Sequence, residues 1–254
     1  MGGGTVEERP YLTIVIPVYN ESRRLPENLP KVVAYLEGQA YPWEIIIVDD
    51  GSEDDTADIA EGFQREEQRI SLLKNPHQGK AYAVRTGVLA ARGENVFHCD
   101  VDLSMPIQEL GKLLPPLSGG YDLSIGSRTV RHNFPWHRRL MSWGFRQIVR
   151  LFIGAGFKDT QCGFKCYRTE AAKDLFHRTR LYSVAGATVK GPAVTGFDVE
   201  VLFLAVKRGY KVKEVPVEWY YSRDSKVNPI KDSLRNLRDV LQVRLNDWRG
   251  LYGR

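Results

Sequence analysis

The most constraining feature of the chain is a repeated alternation. Four short apolar runs each end in a polar cluster, and a helical pattern follows three of them. Leu12–Pro17 is β-branched and ends in Val18-Tyr19-Asn20-Glu21. Glu44–Val48 ends in Asp49-Asp50-Gly51-Ser52. Ile70–Leu73 is the third run, and Asn95–Cys99 is the fourth, closed by Asp100-Val101-Asp102. Helical patterns run from Pro26 to about Gly38, from Thr56 to Gln68 and from Ala81 to Ala91. Runs without polar alternation are the mark of parallel strands buried on both faces. Strands interleaved with helices make an α/β sheet with helices on both sides. In such sheets ligands bind beyond the carboxyl ends of the strands. Three polar, acid-rich clusters fall at those ends, which points to a site on that rim rather than to solvated turns.

Asp100 and Asp102 are one residue apart, so at a strand end both carboxylates can reach one hard cation. Mg²⁺ or Mn²⁺ takes such ligands and shares its shell with substrate phosphates. A merely acidic turn is the competing account of this dyad taken alone. No Gly-X-Gly-X-X-Gly follows a strand and no Walker-type loop occurs, so hydride transfer and ATP hydrolysis lack their phosphate cradle.

Composition narrows the partners. The 254 residues are 43% hydrophobic, enough for one sizeable core. A net charge of +5 suits an anionic partner. The basic residues are interspersed with acidic ones and carry no nucleic-acid motif, so no nucleic acid is expected. Cys99, Cys162 and Cys166 have no zinc-site spacing, and free thiols in a reducing cytosol account for them. No apolar run reaches the ~18 residues of a spanning helix. Residues 1–10, Gly-rich and charged, read as a flexible tail rather than a signal or an anchor. The five histidines share no metal spacing, and His98, inside an apolar run, reads as structural.

The motifs in order resemble those of the family-2, GT-A-type glycosyltransferases: Ile16-Pro17-Val18-Tyr19-Asn20-Glu21, Val48-Asp49-Asp50-Gly51-Ser52, Gly79-Lys80 and Asp100-Val101-Asp102. Further on, Gly126-Ser127-Arg128, Asp159-Thr160-Gln161-Cys162-Gly163-Phe164-Lys165 and Phe197-Asp198-Val199-Glu200 resemble the polyprenyl-phosphate branch, nearest to its dolichyl-phosphate β-glucosyltransferases. The resemblance covers about residues 11–226. It implies a GT-A, Rossmann-like, mostly parallel sheet flanked by helices. A GT-A domain would span 11–228, with a nucleotide-sugar half over 11–105 and an acceptor half over 106–228. An amphipathic helical extension would fill 229–254.

The same resemblance implies an inverting, metal-dependent transfer of glucose from UDP-glucose to a polyprenyl (dolichyl) phosphate. Pro17, Tyr19 and Glu21 would frame the base. Asp50 would accept from the uracil imide, with Asp49 beside it. Gly79 and Lys80 would meet the diphosphate. Asp100 and Val101 would line the ribose side, and Asp100 with Asp102 would hold Mg²⁺ or Mn²⁺. Asp198 would face the sugar or the acceptor phosphate; as plain structure it would cap a helix. Valine between the two acids, where alanine is commoner, adds bulk near the ribose.

A lipid phosphate is already anionic and needs no strong base; it needs cations. Arginine's fork suits phosphate. Arg128, Arg131, Arg138, Arg139 and Lys226 are the candidate acceptor clamps, with Asp159 placed to orient one of them; a solvated basic face is the alternative. Rival readings are GDP-mannose as donor, another UDP-sugar with a non-lipid acceptor, and a non-catalytic binding module. The last leaves Lys80, Asp100 and Asp102 with little to do.

Two segments are candidates for peripheral contact with an anionic membrane at its cytoplasmic face. Phe134–Phe157 carries Trp136, Trp143, Phe145, Phe152 and Phe157 beside the arginines, and is the favoured surface. From Ile230, apolar residues recur through Leu234, Leu237, Leu241, Leu245, Trp248 and Leu251. That helix would either pack through its stripe or lie in the interface.

Overall fold

A computed structural model describes residues 9–132, 156–181, 196–220 and 229–253. Arg138, Arg139, Lys226, Trp136, Trp143, Phe145 and Phe152, expected at the acceptor or membrane side, lie outside the described residues.

The alternation becomes β1 (Leu12–Val18), α1 (Arg24–Glu37), β2 (Trp43–Asp49), α2 (Thr56–Glu66), β3 (Ile70–Lys74), α3 (Lys80–Ala90) and β4 (Asn95–His98). These bounds lie within two residues of those read from the sequence. Pro26 falls in the first turn of α1, where a missing N–H costs nothing. The chain continues through a 3₁₀ turn (Ile107–Glu109), α4 (Leu110–Ser118), β5 (Leu123–His132), β6 (Lys165–Arg168), α5 (Thr169–Arg178), α6 (Phe197–Lys207), β7 (Val212–Tyr220) and α7 (Pro229–Trp248).

Among the described residues seven strands form one sheet, in the order β3-β2-β1-β4-β6-β5-β7. The β1/β2, β1/β4, β2/β3 and β5/β7 pairs are parallel, and β6 runs antiparallel between β4 and β5. The strand tips of β1, β2 and β4 therefore face one way. Antiparallel β6 delivers the start of its own strand, Lys165, to the tip of β4, opposite His98.

Side-chain alternation divides the core. Leu12, Ile14, Ile16 and Val18 join Leu25, Leu29 and Leu110 on one face. Val15 joins Val84, Val88, Leu202 and Leu204 on the other. Gly87 lets α3 press against β1: a Cβ there would lie 2.4 Å from Val15 Cγ1. That contact fixes where the N-terminus of α3, with Lys80, meets the rim.

Helix α7 packs against α6, but not through Leu241, Leu245 or Trp248. Its buried residues are Asn236, Asp239, Val240, Val243 and Asn246. Leu241 (49%), Leu245 (37%) and Trp248 (81%) face outward. Two of the polar residues are buried against partners: Asp239 accepts from Gly196 N at 2.8 Å, and Asn246 donates to Tyr252 Oη. Phe157, proposed as interfacial, packs instead against the core.

Candidate active site

The first two rim loops are stitched together by backbone N–H groups. Asn20 N donates to Ser52 Oγ (2.9 Å), Glu53 N to Asn20 Oδ1 (2.8 Å) and Glu21 N to Thr56 Oγ1 (2.8 Å). Asn20 takes a left-handed φ of 52°, which Asn tolerates. Glu21 pairs with Arg24 at 3.2 Å. Asp49, expected beside the base, is buried and accepts from Ser52 N and Oγ.

Asp50 is buried and organises the next loop. Its carboxylate meets His77 Nδ1 (2.7 Å) and accepts from Gln78 N (3.0 Å) and Gly79 N (2.7 Å). His77 in turn stacks on Tyr19, with ring centroids 3.9 Å apart. Asp50 thus ties the turn before α3 to the β2 tip; a uracil imide would have to share its oxygens with these donors. Gly51 (φ +72°) permits the close approach, since a Cβ would sit 2.8 Å from His77 N.

Lys80, the first residue of α3, forms an ion pair with Asp100. Burial works against its charge, but Asp100, Asp198 and Asp102 outweigh it and raise its pKa. A tight turn follows Asp100, closed by Leu103 N donating to Asp100 O at 3.3 Å. Leu103 adopts φ +45°, a strained setting for this residue. Ser104 N donates to Asp102 Oδ1 (3.0 Å), and Asn28 Nδ2 to Val101 O (2.9 Å), which pins the turn. Crowding by protein atoms and then the charge of Asp100 push the Asp102 carboxyl above the usual range. Beside Asp102 a cleft of about 670 Å³ runs along Asn20, Arg23 and Arg24 at the start of α1.

Two further ion pairs close the site. Lys165 is fully buried; its Nζ lies 2.6 Å from Asp198 Oδ1 and also donates to Cys162 O. Asp198 is therefore not a cap: Gly196 holds that position, and Asp239 of α7 accepts its N–H. Gly163 passes so close to Asp100 that a Cβ would lie 2.8 Å from Oδ2. Arg128 and Asp159 form a two-pronged pair, Nε–Oδ2 at 2.6 Å and Nη2–Oδ1 at 2.8 Å. Arg131 lies in β5, in register with Trp219 of β7. Glu200 points away from the rim, accepting from Arg180 N (2.7 Å) and Tyr252 Oη (2.6 Å). His98 is buried beneath the site, ringed by Tyr167 and Phe197. Burial, then Lys165 and Lys80, lowers its pKa and keeps it neutral.

His77 and Lys165 were not assigned roles from the sequence. Lys165 ended a recognisable motif, and that was its only signal.

Could the rim hold a divalent cation? Among the described residues no group of three metal-ligating side chains occurs. Two oxygen ligands from Asp100 and Asp102 fit a hard cation that takes the rest of its shell from phosphates and water. The raised pKa of Asp102 beside Asp100 marks two like charges that a cation would relieve.

A mostly parallel sheet with this acidic rim defines a GT-A glycosyltransferase. Residues 13–176 match the model for Glycosyl transferase family 2. The chain is 34% identical over 258 residues to the dolichyl-phosphate beta-glucosyltransferase ALG5C of Trichomonas vaginalis, covering 95% of this chain and 73% of that one. It is 31% identical over 262 residues to the dolichyl-phosphate beta-glucosyltransferase of Homo sapiens, covering 95% and 77%. Its fold is similar to glucosyl-3-phosphoglycerate synthase from Mycobacterium tuberculosis, solved with Mn²⁺, UDP and glucosyl-3-phosphoglycerate (TM-score 0.61, 18% identity, 93% of this chain and 79% of that chain). The chain belongs to glycosyl transferase family 2, in the branch that holds the dolichyl-phosphate beta-glucosyltransferases, and is an enzyme.

Proposed function

We propose that the enzyme transfers glucose from UDP-glucose to dolichyl phosphate with inversion, using Mg²⁺ or Mn²⁺. One observation carries this reading: Asp100, Asp102 and the ammonium of Lys80 converge at the N-terminus of α3. The names of the relatives supply glucose and dolichyl phosphate. The fold neighbour's complex with Mn²⁺ and UDP agrees with the donor and the metal.

The acceptor phosphate oxygen attacks the anomeric carbon from the side opposite UDP. The carbon–oxygen bond to the diphosphate breaks, and UDP departs with its electron pair. A cation held by Asp100 and Asp102 would supply Lewis-acid stabilisation of the departing diphosphate. Lys80 and the N-terminal dipole of α3 add positive potential on the same side. Lys80 exchanges its partner from Asp100 to the diphosphate as the donor binds. The base lies toward Pro17, Tyr19 and Glu21, on the platform that Asp50 and His77 hold in place. Asp198, aimed by Lys165, hydrogen-bonds the sugar hydroxyls. The Arg128–Asp159 pair, with Arg131, Arg138, Arg139 and Lys226, meets the acceptor phosphate. Peripheral attachment at the cytoplasmic face of a membrane brings the enzyme to its lipid.

The test is a product assay with UDP-glucose, other UDP-sugars and GDP-mannose, each with dolichyl phosphate or a water-soluble acceptor, with and without Mn²⁺. Glucosyl phosphoryl dolichol, formed only with UDP-glucose and metal, is the result expected. Preference for GDP-mannose, or full activity toward the soluble acceptor, contradicts it.

A further inference from the structure

The C-terminal part of the apolar stripe of α7, Leu241, Leu245 and Trp248, is turned away from the protein, and this is the reverse of what an amphipathic helix on a domain usually does. We propose that this outward face docks the enzyme on an anionic lipid bilayer. The proposal deepens the function proposed above, on which its choice of a bilayer rests.

The inner side of α7 is fixed by polar contacts. Asp239 holds Gly196 N, Asp247 pairs with Lys207, and Asn246 joins Tyr252, which donates to Glu200. Asp239 and Asp247 are thereby occupied on the protein side. What remains outside is Leu241, Leu245 and Trp248, spaced four and three residues apart, followed by Leu251 at 47% exposure. Of the five exposed large hydrophobic side chains among the described residues, three form this strip and Leu251 follows just past the helix end, Tyr220 being the fifth. At 3.6 residues per turn, Arg238 and Arg249 lie roughly 60–80° to one side of Leu241, and Arg244 roughly 60° to the other. Arg238 and Arg249 are exposed. Arg244, by contrast, is half-buried and turned inward, over the Phe203 ring and beside Asp247. An apolar strip with an indole at one end and two exposed arginines, Arg238 and Arg249, along one edge matches a helix lying in the headgroup layer. The leucines and indole would enter the acyl boundary, and the arginines would meet lipid phosphates. A second copy of the chain fits less well: among the described residues of α7, no acid lies on this outward face to answer a partner's arginines.

The geometry also sets the angle of approach. Asp239 of α7 touches the start of α6, and Asp247 its end, so the two helices run the same way. Asp198, in the first turn of α6, belongs to the candidate site. A bilayer beneath α7 therefore runs alongside the site rather than behind it, where a polyprenyl tail can stay in the membrane.

The experiment compares wild type with the triple variant Leu241→Glu/Leu245→Glu/Trp248→Glu. All three side chains are already exposed, so the fold tolerates the change. Flotation uses phosphatidylcholine vesicles with and without phosphatidylserine. A parallel assay measures glucosyl transfer to a short polyprenyl phosphate in detergent, and sedimentation velocity gives the oligomeric state. Wild type should float with phosphatidylserine-containing vesicles, and the triple variant should lose roughly tenfold or more of that binding. Its detergent activity should stay within about twofold of wild type. Arg238→Glu/Arg249→Glu should abolish the preference for phosphatidylserine. Equal flotation of wild type and triple variant overturns the proposal, as does wild type that floats with neither vesicle. A dimer that becomes monomeric in the variant, with vesicle binding unchanged, assigns the face to a second copy. Absence of glucosyl transfer by wild type in detergent refutes the proposed function instead, and leaves the flotation result standing.

Discussion

At the scale of single residues, the site is a set of paired charges. Lys165 is the most exacting. Its fully buried ammonium has Asp198 and a backbone carbonyl as partners, and removing one partner of such a pair leaves an uncompensated charge. Lys165→Met should cost about 3–5 kcal/mol in urea unfolding. The double variant Lys165→Met/Asp198→Asn should recover much of that loss in stability without recovering turnover; if it does not, the pair is not the source of the cost. Asp102→Ala should remove turnover and metal-dependent UDP binding while leaving the unfolding midpoint unchanged. Turnover preserved in that variant would show that the dyad has another purpose. Burial holds the Cys162 thiol up at about 11 and raises Cys99 and Cys166 further. All three should resist iodoacetamide at pH 8 in the folded protein and react on unfolding, as alkylation followed by mass spectrometry will show. Sequence spacing revealed the acids at the rim. It did not reveal which acids the protein itself consumes: Asp50 is acidic like its neighbours, but its acceptance of the Gln78 and Gly79 N–H groups depends on how β2 and the loop meet.

Among the elements, the strands of the first half were legible because parallel strands buried on both faces leave an unbroken apolar run. The second half was less so. β5 mixes Ser, Gly and Arg with its apolar residues, and β6 is only four residues long and antiparallel. No local pattern announces that Lys165 will be carried to the tip of β4. Which side of α7 faces the protein is hidden from the sequence for a related reason. Asp239 and Asn246 look like a solvated face until Gly196 and Tyr252 are present to meet them. The turn between β2 and α2 offers a test at this scale. Gly51→Ala would place a Cβ against His77 N in a left-handed setting, at a cost of about 2 kcal/mol or more. Because that strain pulls on the Asp50–Gly79 contacts, UDP affinity should fall along with stability. Calorimetry showing unchanged UDP binding would separate the turn from the donor site.

For the molecule as a whole, the fold places one end of a parallel sheet, a cationic helix start and two carboxylates at a single rim. On the function proposed above, the cation arrives with the donor diphosphate and is no part of what holds the fold together. EDTA should therefore stop turnover and leave the melting temperature unchanged. UDP with Mn²⁺ at about a hundred times its Kd should stabilise the protein by about 2.7 kcal/mol. The most direct measurement is a crystal of the protein with UDP and Mn²⁺, with the ion located by its anomalous signal. The account predicts manganese bound to Asp102 and bridging the diphosphate, with the uracil between Tyr19 and the β2 tip. Manganese elsewhere, or UDP bound away from these strand ends, would contradict it.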